Sequence, residues 1–238
     1  MIYIDGILTG LSNVILFGLV VGIRSAWHKE NIHSFLLHTD KKGLKLFFEG
    51  SCLGFLLITL IALAVIWAGQ GTIYFKVGNI WPSLGLLVTW GFGYMAVALF
   101  EKGLFRGYIM QKLLKRFSVF TAILIPSIFF GFLHYLSYPE TPFIWHGVTN
   151  AFLIGIVLSI IVIRTESLML ALGFHLFWNL AQTLLFSSAT VIHLEIEESL
   201  LTGSSSTPET GLLVSFAALL LLIYSLIRFR GNQTPQKQ

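Results

Sequence analysis

Apolar residues run along this chain in long blocks. Seven stretches hold no Asp, Glu, Lys or Arg: residues 7–23, 51–75, 77–100, 117–139, 141–163, 167–194 and 210–227. Each has 17 or more residues, enough for a helix to cross a hydrocarbon core of roughly 30 Å. Backbone in lipid must satisfy its own hydrogen bonds, so blocks of this length predict helices. The expected fold class is all-α, a polytopic membrane bundle of seven or eight transmembrane helices forming one domain over residues 1–238. The count turns on residues 101–116, which either continue the third block or form a helix of their own. An antiparallel turn is expected at Phe117 and Ser118, after the basic group Lys112, Lys115 and Arg116. The polar segments 202–210 and 231–238 read as mobile surface.

Composition agrees with this frame. Only 11% of residues are charged, against about a quarter in an ordinary soluble domain. The charges also orient the bundle. In a strictly alternating arrangement 14 of the 15 Lys and Arg fall on one side, the exception being Lys76. The opposite side carries Glu195, Glu197, Glu198 and Glu209. The positive side is expected to be cytoplasmic, which puts the N-terminus outside and the C-terminus inside a bacterial cytoplasmic membrane. The first block has only Asp5 before it and a basic loop after it, which predicts a retained helix rather than a cleaved signal peptide. The net charge of +4 is accounted for by these loops and implies no nucleic-acid partner. Cys52 is the single cysteine, so intramolecular disulfides are excluded.

Three polar stations interrupt the apolar pattern. The first is Glu101-Lys102-Gly103-Leu104-Phe105-Arg106, directly after 24 uncharged residues. Ionisable residues at membrane depth are costly and usually face a polar interior. The second is Phe130 to His134, and the third is His175 to Asn179, whose spacing puts both side chains on one helical face. With a turn at 117–118, Glu101 and His134 lie 16 and 17 residues from Phe117. Both then sit ~24–25 Å from the turn, at one level of an antiparallel pair. A Glu beside two His suits general-base activation of water, and an Asn–His pair suits stabilisation of an oxyanion. The same residue types suit a zinc site, although the short spacings of zinc proteases are absent. His146 and Asn150 repeat the His-x-x-x-Asn spacing but read as structural or interfacial. Trp81, Tyr135, Tyr138 and Trp145 read as interfacial aromatics.

These three motifs, in this order and in membrane helices, resemble the CPBP family of CAAX-prenyl-protease and bacteriocin-processing intramembrane endopeptidases. That family carries Glu-Glu-x-x-x-Arg, Phe-x-x-x-His and His-x-x-x-Asn, and the resemblance covers about residues 80–182. It implies catalytic roles for Glu101 as the base, His134 as its assistant, and His175 and Asn179 as water or oxyanion ligands. Arg106, Lys102 and Phe130 would support them. The implied partners are a peptide or protein substrate at the bilayer and the membrane lipids. The implied mechanism needs no cofactor, with zinc at His134, His175 and Glu101 as the alternative. One position departs from the pattern. Lys102 replaces the family's second Glu and would face Arg106 at i, i+4 with like charge. Two functions follow: a working peptidase, or an inactive member that binds or scaffolds peptide or lipidated partners. A proton-relay transporter is a third reading, disfavoured by the absence of internal repeats.

Overall fold

The structure, a computed structural model, describes residues 2–28, 35–136, 138, 141–205 and 207–230; the expected mobile tail at 231–238 lies outside them. The fold is an all-α membrane bundle. Helices α1 (Ile2–His28) and α2 (Lys41–Trp67) are followed by a short strand β1 (Gly71–Phe75) and by α3 (Ile80–Lys102). A π-helical turn, Gly103–Ile109, joins α3 without a break to α4 (Met110–Leu114). Then come α5 (Val119–Tyr135), α6 (Ile144–Thr165), α7 (Met169–Phe186), strand β2 (Ile192–Ile196) and α8 (Leu212–Arg228).

Five helical spans are long and apolar enough to cross a membrane, and α5 and α8 are shorter apolar helices. These seven spans fall on the seven uncharged blocks. Residues 101–114 continue the third span, which runs unbroken from Val77 to Leu114 over 38 residues. The chain turns where expected: Ser118 caps α5, its hydroxyl accepting from the Thr121 amide at 3.2 Å.

Two expectations fail. The ends of the second and sixth blocks are not helical but pair as an antiparallel ribbon, Gly71 opposite Ile196 and Phe75 opposite Ile192. An uncharged run reports apolarity, not period. Here Gly69, at φ +70°, ends α2 in the left-handed region that other residues avoid. Segment 202–210 is also not mobile surface. Thr202, Ser204 and Thr210 are buried, and bridges join Ser199 to Gly203 and Ser204 to Thr207. Asn150 on α6 pins this loop, donating to the carbonyls of Glu209 and Gly211 at 2.9 Å each and accepting from Ser215 at 2.6 Å. Polarity in this loop is spent on internal hydrogen bonds, which close it over one end of the bundle.

The α2–α7 contact sets how closely the bundle packs. A Cβ on Gly50 would lie 2.0 Å from the Leu170 carbonyl oxygen, and one on Gly173 2.0 Å from that of Phe47. Small residues let membrane helices approach backbone to backbone, where apolar burial alone supplies little driving force.

Candidate active site

Each polar station ends on a differently built support. Lys102 is the last residue of α3, and Arg106 lies within the π turn that follows. π segments widen a helix and often occur where side chains must leave it for a functional purpose. His134 closes α5 and His175 sits in the middle of α7. Glu101, Lys102, Phe130, His134, His175 and Asn179 line one cavity of about 250 Å³. The three motifs, far apart in sequence, therefore share one internal space.

Lys102 organises it. Its side chain is fully buried, and its ammonium donates to Glu101 Oε2 at 2.9 Å and to His175 Nδ1 at 2.9 Å. An ammonium has no lone pair, so His175 Nδ1 must accept and Nε2 must carry the ring hydrogen. Nε2 lies 2.8 Å from the Asn179 side-chain amide. The Asn179 atom facing it is Nδ2, so with Nε2 protonated the amide must be turned over for its oxygen to accept. His134 Nδ1 donates to the Phe130 carbonyl at 2.8 Å, so Nε2 is its free nitrogen.

The expected confrontation of Lys102 with Arg106 is resolved differently. Lys102 turns to Glu101 and His175, while Arg106 is fully buried and donates to the Gly155 carbonyl at 3.2 Å. Both cations lie over the ring of Phe130, at 4.6 and 4.4 Å from its centroid. Each gains from the ring's negative face, which offsets part of their repulsion. Arg106 Nε and Nη1 nevertheless have no hydrogen-bond partner among the described residues. Arg106 does not line the cavity.

Two residues reach the cavity against expectation. Tyr138 lines it instead of marking an interface. Glu209 enters from the loop between α7 and α8, its Oε1 accepting from Trp178 Nε1 at 3.0 Å. Nothing in its local sequence separates it from Glu195, Glu197 and Glu198; the fold alone does. Enclosure raises the Tyr138 hydroxyl well above its usual range, helped by the nearby charges of Glu209 and Glu101. His146 is exposed, and Asn150 is the loop pin described above, although it also touches the cavity.

Among the described residues no group of three His, Cys, Asp or Glu side chains is placed to hold a metal ion. The Lys102 ammonium occupies the point between Glu101 and His175 that a bridging cation would need.

Residues 83–181 match a family model described as type II CAAX prenyl endopeptidase Rce1-like. Over that segment, 99 of the 238 residues, the chain is similar to this Rce1-like family. The matched segment contains Glu101, Lys102, Arg106, Phe130, His134, His175 and Asn179, and its limits lie within three residues of those expected from the motifs. No curated protein and no solved structure matches the chain. The matched description is of a CAAX-type endopeptidase, and the five long apolar spans agree with an integral membrane protein.

Proposed function

We propose that this protein is a glutamate-dependent intramembrane endopeptidase that hydrolyses a peptide bond in a membrane-presented peptide or protein. One observation carries the reading: Glu101, His134, His175 and Asn179 meet in a single cavity within the Rce1-like segment. Glu101 removes a proton from water while its oxygen attacks the scissile carbonyl, and His134, through its free Nε2, helps hold that water. The Asn179 amide, with its partner His175, stabilises the developing oxyanion. Lys102 pairs with Glu101 and fixes the His175 tautomer, roles that need no metal ion. The charge distribution supports a cytoplasmic C-terminus and an outer face closed by the 187–211 loop.

The reading in which the protein binds without cleaving draws on the same ion pair, because Lys102 occupies one oxygen of the proposed base. A single assay separates the two. Purified protein in nanodiscs is offered a quenched-fluorescent peptide library beside Glu101→Gln, with and without chelator. Cleavage that is lost in the variant and indifferent to chelator is expected. Binding of library peptides without product identifies the non-catalytic member.

A further inference from the structure

Among the acids of the 187–211 loop, Glu209 is the one that lines the cavity. Its position is built from three directions. Asn150 on α6 holds its carbonyl, Trp178 on α7 holds its side chain, and the turn Pro208–Thr210 presents it. The charged and titratable groups that face the same space are Glu101 and Lys102 from α3, His134 from α5, His175 from α7, and Tyr138.

The two carboxyl groups of the cavity have opposite surroundings. Glu101 lies 2.9 Å from an ammonium and 3.5 Å from His175 Nδ1. Glu209 receives one neutral N–H, and among the described residues no Lys or Arg is in ion-pair contact with it. A pair of carboxyl groups whose environments separate their protonation divides naturally into base and acid. From this geometry we propose that Glu209 is the general acid of the site and Glu101 the base. The inference rests on the endopeptidase reading above. It also gives Lys102 a place in the assignment, because its ammonium is in ion-pair contact with Glu101.

The protons balance. Glu101 takes a proton from water as the water oxygen bonds to the carbonyl carbon and the C=O electron pair moves to oxygen. On collapse the C–N bond breaks, its electron pair stays on nitrogen, and that nitrogen takes the Glu209 proton. Glu101 is left protonated and Glu209 ionised. Transfer through His134, which lines the same cavity, restores both. Enclosure raises the Glu209 carboxyl above the ordinary carboxylate range, against the pull of His134 and of the Trp178 hydrogen bond. That is the direction a proton donor near neutral pH requires.

The test compares two probes: the library peptide that the wild-type protein cleaves fastest, and the same sequence with a thioester at the scissile bond. A thiolate leaves without a proton, whereas an amine does not. Glu209→Gln keeps an oxygen for Trp178 and removes only the acid. It should cut kcat on the peptide by about 100-fold, with KM little changed, while thioester hydrolysis stays within about threefold of wild type. The wild-type peptide rate should fall as pH rises through the Glu209 titration, and the variant should lack that alkaline limb. Glu101→Gln should lose both probes; if it loses neither, the endopeptidase reading falls first. Peptide cleavage by Glu209→Gln within twofold of wild type would overturn the assignment, and so would equal losses on peptide and thioester. The infrared band of a protonated carboxyl at neutral pH gives a check independent of turnover. It should vanish in Glu209→Gln and persist in Glu101→Gln; its absence from wild type would also overturn the assignment.

Discussion

Replacing Lys102 by Met tests whether the ammonium holds the site together. Met keeps an unbranched apolar stem in a fully buried position and removes only the charge. It leaves the Glu101 carboxylate, 18% exposed, and His175 Nδ1 without their donor. Removing one partner of a buried ion pair costs about 3–5 kcal/mol, because the other charge stays buried and unpaired. The residual exposure of Glu101 and the relief of burying Lys102 itself favour the lower end, about 3 kcal/mol. At roughly 2–4 °C per kcal/mol for a chain of this size, the melting temperature should fall by about 6–12 °C. Thermal unfolding in detergent, followed by fluorescence, measures it. Adding Glu101→Gln removes the second charge, so the double variant should recover most of the loss, with a coupling above about 1.5 kcal/mol. The reasoning is refuted if Lys102→Met melts within about 2 °C of wild type, or if the two losses simply add.

Other outcomes follow from the same contacts. Phe130→Leu removes the ring shared by Lys102 and Arg106 and should cost about 2 kcal/mol or more, read as a lower melting temperature. Gly50→Val drives a Cβ onto the Leu170 carbonyl and should cost about 3 kcal/mol or more, because backbone cannot step aside. Gly18→Ala, within α1 and where an added Cβ meets nothing within 4 Å, should not lower the melting temperature and should raise it slightly, since Gly inside a helix is about 0.5–1 kcal/mol less favourable than Ala.

Most of the bundle was legible in the sequence because a helix crossing lipid must be long, apolar and internally hydrogen-bonded, and charge marks where it ends. The level of Glu101 with His134 was legible too, since Ser118 supplied an identifiable turn between them. The ribbon 71–75 with 192–196 was not, because both strands continue uncharged runs and only their long-range pairing makes them strands. Lys102 was read as a local clash with Arg106. Local spacing could not foresee that the chain would bring His175 to it across 73 positions. Glu209 was counted among surface acids for the same reason: its partner Trp178 and its pin Asn150 lie on helices that only the packed fold brings near.

The central claim is that Glu101 activates water for peptide hydrolysis. The most direct measurement runs the reaction in heavy-oxygen water and weighs the fragments from wild type and Glu101→Gln. The account predicts one heavy oxygen in the new carboxyl terminus from the wild-type protein and no labelled product from the variant. Unlabelled wild-type product, or labelled product at the wild-type rate from Glu101→Gln, would contradict it.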